Sequence, residues 1–144
     1  MKAAGFSSCC LPAARPDATD TVEARPHILI VDDSAAVTGA LRVLFEETGH
    51  DVSVAGSIRD AVAAGSARSV DVMLLDLTLP DGVGLATLLE LRARNAEPRV
   101  TAALTGRDAA EVQARCTAAG CRAVLVKPVP IAELLARVRE WTAA

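Results

Sequence analysis

His27-Ile-Leu-Ile-Val31-Asp32-Asp33-Ser34 is an apolar run that ends on two carboxylates, and its form recurs along the chain. Val70-Asp-Val-Met-Leu-Leu75 runs into Asp76, Val100-Thr-Ala-Ala-Leu104 into Thr105, and Ala123-Val-Leu-Val126 into Lys127-Pro128. Another run, Asp51-Val-Ser-Val-Ala55, ends at Gly56-Ser57. Short runs of this kind, bounded by polar and turn residues, read as strands. As parallel neighbours in one sheet they would share a single carboxyl edge, where open α/β sheets bind their ligands. Three carboxylates, a hydroxyl and an ammonium would then meet in one crevice.

The segments between the runs carry helical spacing. Val37, Ala40, Leu41, Leu44 and Phe45 recur at three- and four-residue steps before Gly49. Ile58, Ala61 and Val62 mark a second helix, and Leu85, Leu88 and Leu89 a third that closes before Pro98. Ala109, Val112, Cys116 and Ala119 mark a fourth that ends at Gly120. Ile131, Leu134, Leu135, Val138 and Trp141 mark a fifth, with Pro130 at its start, where a missing N–H costs nothing. Five alternations of strand and helix predict parallel βαβ units with right-handed crossovers. The first, third and fourth runs are continuously apolar, as central strands buried on both faces should be. The second alternates and suits an edge. The last is apolar although it too should be an edge, so composition leaves the strand order open.

At 144 residues the chain is one domain's worth, and its 51% hydrophobic content suffices for a buried core. A net charge of −3 without a basic stripe speaks against nucleic acid. No apolar run approaches the roughly 18 residues of a membrane span, so a cytoplasmic location is expected. Residues 1–25, with Pro12, Pro16 and no periodicity, read as a flexible tail. The stretch after Lys2 is too short and too polar for a signal peptide. Residues 26–142 form the expected domain. Four cysteines, Cys9, Cys10, Cys116 and Cys121, show no zinc spacing. They read as reduced, structural or incidental, with Cys116 on a buried helix face.

Here the chain resembles the receiver domain of two-component response regulators over about residues 26–142. The resemblance lies in Ile30-Val31-Asp32-Asp33-Ser34, in Asp76-Leu-Thr-Leu-Pro80-Asp-Gly-Val-Gly84, in Leu104-Thr105-Gly106 and in Gly120-Cys-Arg-Ala-Val-Leu-Val-Lys127-Pro128. It implies a flavodoxin-like (βα)5 doubly wound sheet, strand order 2-1-3-4-5, and a cis Lys127–Pro128 peptide. It implies that Asp76 accepts a phosphoryl group from a histidine kinase or histidine phosphotransfer protein. Mg²⁺ would be held by Asp32, Asp33, Asp76 and the Thr78 backbone carbonyl. Thr105 and Lys127 would contact the phosphoryl oxygens, Gly106 would keep their approach open, and Thr78 and Arg107 would flank the path of the hydrolytic water. The module would not be an enzyme beyond its own phosphotransfer and autodephosphorylation. It would signal to a downstream protein as a monomer or weak homodimer, without an output domain.

The chemistry of the residues agrees. Three clustered carboxylates repel unless a cation sits among them, and Mg²⁺, a hard octahedral ion, suits carboxylates, a carbonyl and waters. Lys127 supplies a point charge for a phosphoryl oxygen. Phosphoryl transfer depends mainly on such positioning and charge stabilisation. Each residue alone has a plainer reading. Asp33 and Ser34 could only cap a helix, Asp76 could open a Pro-Asp-Gly turn, Thr105 could end a strand, and Lys127 could be a solvated charge. Those readings predict no common address, whereas the sheet edge supplies one. His27, His50 and Trp141 read as ordinary packing residues.

One departure bears on signalling. Receivers of this type carry Tyr or Phe three residues before the Lys, and that position here is Val124. Val has no ring to swing, so the output is expected to run from Thr105 into the fourth helix. The departure also supports an alternative, a phosphorylation-independent pseudo-receiver scaffold. A haloacid-dehalogenase-type phosphatase would need a second Asp where Thr78 stands.

Overall fold

In the computed structural model, residues 25–106 and 110–143 are described. The expected tail, up to residue 24, and Arg107 therefore lie outside the described residues. Five parallel strands make one sheet: β1 (His27–Val31), β2 (Asp51–Ala55), β3 (Val72–Asp76), β4 (Val100–Thr105) and β5 (Ala123–Val126), in the order β2-β1-β3-β4-β5. Helices α1 (Ala35–Glu47), α2 (Ile58–Ala67), α3 (Leu85–Ala93), α4 (Ala110–Ala119) and α5 (Ile131–Thr142) alternate with them. The chain thus has the flavodoxin-like order expected of it. Thr78–Leu79 and Gly82–Val83 form a small antiparallel hairpin beyond β3.

Strand alternation sends residues to two cores. Ile28, Ile30, Val72, Leu74, Ala102 and Leu104 meet Leu41 and Phe45 of α1 and Leu134, Val138 and Trp141 of α5. Leu29, Val31, Met73, Leu75 and Ala103 face α2, α3 and α4. Because both faces are covered, β1, β3 and β4 are buried along their whole length, while β2 and β5 are the half-covered edges.

Several details depart from the sequence reading. β3 begins at Val72 rather than Val70, and the Asp71 side chain just before it accepts the His27 backbone N–H and pairs with Arg99. On α3, Leu91 rather than Leu89 completes the buried stripe, and Leu89 is 53% exposed. Val37 and Ile131 likewise stand exposed on α1 and α5. Ala109 lies outside the described residues, α4 is described from Ala110, and Cys116 is its single buried residue. The histidines are packing residues, as expected. His27 lies between the Ser69 carbonyl and the Ser53 hydroxyl, and His50 packs edge-on against Phe45.

Register places the site. Val31 sits opposite Leu75, Asp76 opposite Leu104, and Thr105 opposite Val126. Asp32, Asp76, Thr105 and Lys127 consequently leave the sheet side by side along one carboxyl edge.

Candidate functional site

Asp32 follows β1 directly and is 3% exposed, and its backbone N–H donates to the Ala55 carbonyl at 3.0 Å. One carboxylate oxygen accepts from the Ser34 N–H at 2.9 Å, and the other lies 3.0 Å from Lys127 Nζ. Asp76 repeats this pattern. Its Oδ1 accepts from the Thr78 N–H at 3.1 Å, and its Oδ2 lies 3.3 Å from the same ammonium. Each buried carboxylate is thus oriented by the backbone two residues ahead of it and bridged to the other by one cation. Asp33 is exposed, and the ligand atoms of Asp32, Asp33 and Asp76 all lie within 4.8 Å of one another.

Lys127 is carried just beyond β5, where its backbone N–H donates to the Thr105 carbonyl at 2.7 Å. The Lys127–Pro128 peptide is cis. Burial works against the charge on Lys127, but the Asp32 and Asp76 carboxylates outweigh it and hold the ammonium above its ordinary range. Three carboxylates against one ammonium leave a surplus of negative charge, and this hard oxygen donor set fits a divalent cation.

Thr105 closes β4 and is buried, 6% exposed. Gly106 is exposed, and a Cβ built on it meets no atom within 4 Å. Crowding by the described protein atoms does not call for glycine there. Thr78 is exposed on the hairpin, and Val124 is half-buried against the α2–α3–α4 core. The structure therefore gathers Asp32, Asp33, Asp76, Thr105 and Lys127 at one edge, with Thr78 and Gly106 beside them.

Two residues of the site's scaffold escaped the sequence reading. Asp81, read only as part of a turn, reaches the start of α2 and accepts the Ile58 N–H at 2.9 Å and the Arg59 N–H at 3.2 Å. Those bonds hold its carboxyl below the usual carboxylate range. Gly84 packs on the backbone of the Asp76 strand end, where a Cβ would land on the Asp76 carbonyl oxygen and 3.0 Å from Leu77 Cα. The sequence signal was the trailing Pro80-Asp81-Gly82-Val83-Gly84 itself, since a second glycine beyond the turn hints at close backbone approach.

Beside the edge, Asp32 and Lys127 also form one end of a cavity of about 560 Å³ between α1 and α5, otherwise walled largely by apolar side chains such as Val37, Leu41, Ile131 and Leu134. No described helix is long and apolar enough to cross a membrane.

Comparison with known proteins agrees with this geometry. The family model of the response regulator receiver domain matches residues 28–139. The swarming motility regulation protein RssB of Serratia marcescens is 36% identical over 113 residues, which are 78% of this chain and 51% of that protein. The KDP operon transcriptional regulatory protein KdpE of Escherichia coli is 33% identical over 78% of this chain and 49% of its own length. The chain thus spans about half the length of these curated relatives. Among solved structures, a CheY-like receiver domain protein from Methanospirillum hungatei superposes with a TM-score of 0.74 at 27% identity, over 81% of this chain and 93% of that one. A receiver domain from Francisella has a TM-score of 0.74 at 28% identity, over 81% and 95%. Sheet order, the acidic edge and these matches agree, and the chain belongs to the response regulator receiver family of two-component systems.

Proposed function

We propose that Asp76 is the phosphoacceptor of this receiver, taking a phosphoryl group from a phosphohistidine of a histidine kinase or phosphotransfer protein. The observation that carries the reading is the pairing of Asp76 with Lys127 at 3.3 Å inside a cluster of three carboxylates. Receiver domains act in general as phosphoacceptor modules rather than classical enzymes, and they bind Mg²⁺ in an acidic pocket. In this chain the ion would be held by Asp32, Asp33, Asp76 and the Thr78 carbonyl. It would neutralise charge that otherwise repels an incoming phosphoryl group.

The chain's own residues do the rest. Asp76 Oδ attacks phosphorus in line with the leaving imidazole, the P–N bond breaks as the P–O bond forms, and the imidazole nitrogen keeps the electron pair. Lys127 transfers its contact from the Asp76 carboxylate to a phosphoryl oxygen, and the Thr105 hydroxyl donates to another. Gly106 leaves that approach open. The apolar cavity between α1 and α5 opens beside Asp32 and Lys127, and it suits the helix of a phosphodonor protein. Thr78 and Arg107 would set the rate of autodephosphorylation, and the signal would pass to a downstream protein through the loop after Thr105 and α4. A domain spanning about residues 26–142 is sufficient for all of this.

Val124 supports a second reading, a scaffold that binds partners without phosphorylation, because a half-buried valine cannot perform an aromatic switch. One experiment separates the two. The protein is incubated with Mg²⁺ and acetyl phosphate and weighed intact, with Asp76→Asn in parallel. One added phosphoryl group, dependent on Mg²⁺ and lost in the variant, is the expected result. Failure to form the adduct, together with failure to bind Mg²⁺ and beryllofluoride, refutes the phosphoacceptor reading.

A further inference from the structure

α4 ends in a Schellman cap. The Cys121 N–H donates to the Cys116 carbonyl at 3.0 Å, and the Gly120 N–H donates to the Thr117 carbonyl at 3.1 Å. Gly120 takes the positive φ of 108° that this cap requires. Such a cap brings the side chains at its first and sixth positions together, ordinarily as an apolar contact. In this chain both positions are cysteine, and they account for two of its four cysteines. Both thiols are free and buried in the same α2–α3–α4 core.

We infer that Cys116 and Cys121 are a reversible oxidation site, at which hydrogen peroxide converts the dithiol into a disulfide that staples the end of α4 to the segment leading into β5. The electron balance is closed by the peroxide. The Cys121 sulfur attacks one peroxide oxygen, the O–O bond breaks, and Cys121 becomes a sulfenic acid as the first water leaves. The Cys116 sulfur then displaces the sulfenic hydroxyl, which leaves as a second water. Two thiols lose two electrons and two protons, and one peroxide becomes two waters.

The surroundings decide when this happens. Burial, with Cys116 alongside, pushes the Cys121 thiol up to about 12, so the seated pair is protonated and slow to react. Cys116 is nevertheless the single buried residue of α4, which makes the helix one of the least firmly held elements. When its last turn lifts, solvent reaches both sulfurs. Arg92, whose charge favours the Cys121 thiolate and whose Nη2 donates to the Ala119 carbonyl at 2.7 Å, remains on α3 beside them. The disulfide would close a loop of six residues and remove that opening. Its formation does not involve Asp76, so its test is independent of the phosphoacceptor reading.

The sequence provides a direct assay. Cleavage after Arg115 and Arg122 releases both cysteines in one peptide, residues 116–122, while Cys9 and Cys10 leave in another. The full chain is treated with hydrogen peroxide under native conditions, alkylated in denaturant and digested. The expected peptide is unalkylated and lighter by two hydrogens, and it takes up two alkyl groups after dithiothreitol. Amide exchange across residues 110–119 is expected to slow by about tenfold or more in the oxidised chain, as short-loop closure implies. A peptide that stays doubly alkylated, or carries a sulfinic acid, while Cys9 and Cys10 have reacted overturns the inference. A disulfide that leaves the exchange unchanged overturns the staple.

Discussion

Replacing Gly84 by alanine probes the contact that fixes the end of the Asp76 strand. Gly84 has φ −56° and ψ −28°, ordinary helical values open to any residue, so its conformation does not call for glycine. Crowding does. A Cβ would fall on the Asp76 carbonyl oxygen, 3.0 Å from the Asp76 carbonyl carbon and 3.0 Å from Leu77 Cα. Overpacking costs about 1–3 kcal/mol where side chains give way. Here the obstacles are main-chain atoms, tied down by the Gly84 N–H to the Leu77 carbonyl at 2.8 Å and the Leu77 N–H to the Leu104 carbonyl at 3.2 Å. The cost should therefore reach the upper end of that range. Alanine recovers about 0.4–1 kcal/mol through lower unfolded-chain entropy, which leaves a net loss of roughly 2 kcal/mol. In a domain of this size that lowers Tm by roughly 6–12 °C. Trp141, the single Trp of the chain and 6% exposed, reports the unfolding by fluorescence. A displacement of Asp76 by about 1 Å should also slow phosphoryl uptake from acetyl phosphate about a hundredfold. Gly39→Ala is the control. It lies exposed within α1 with nothing within 4 Å of its built Cβ, and alanine should stabilise it by about 0.5–1 kcal/mol. A Gly84→Ala protein that melts within about 2 °C of the parent and takes up phosphate at the parent rate would refute the crowding argument.

Asp33→Asn removes one of three carboxylates that lie within 4.8 Å. In chelator it should stabilise the fold by about 1 kcal/mol, the repulsion of exposed charges at that range. Mg²⁺ at ten times its Kd should stabilise the parent by about 1.4 kcal/mol and the variant far less; equal gains in a melting titration would remove Asp33 from the metal site. Arg92→Met frees the Ala119 carbonyl and breaks a half-exposed pair with Glu97 at 2.9 Å. Exchange across residues 110–119 should accelerate by up to about fivefold, and unchanged exchange counts against that anchor. The Asp81 carboxyl is held below its ordinary value of 3.8, chiefly by the Ile58 N–H. Its contribution is therefore present above that value and is lost as pH falls through the lower, folded one. Urea titrations of the parent and Asp81→Ala should differ at neutral pH and converge in strong acid, and a gap that persists unchanged would show that the carboxylate charge is not what matters.

The strands were legible because buried runs need continuous apolar sequence and end abruptly where the chain meets solvent. Strand order was not, since β5 is as apolar as the central strands yet lies at an edge with its outer residues half-covered. The stripe on α3 was misjudged at Leu89 because Leu88, Leu89 and Leu91 are chemically alike. Only the direction of packing against α2, where Leu91 lies against Gly65, tells them apart. The reactive edge was legible as a set of residue types, whereas the parts that hold it depend on contacts between distant segments. Asp81 caps a helix that begins 23 residues earlier, and Gly84 answers to the backbone of Asp76. Neither role follows from local spacing.

That division bears on how such a domain can signal without an aromatic switch. Asp32, Asp76, Thr105 and Lys127 are attached to strand ends whose register and hydrogen bonds leave them little freedom. A new bond from Thr105 to a phosphoryl oxygen cannot readily deform β4, which is buried throughout. Under the proposed function the bond would act instead on α4, which buries a single side chain. Val124 packs into the same core as Cys116 and presents no ring that must move first. Under the proposed function, a stiff site next to a weakly seated helix would serve as the switch, because the free energy of one charge-assisted hydrogen bond, about 1.5–3 kcal/mol, is comparable to what holds so small an apolar contact in place.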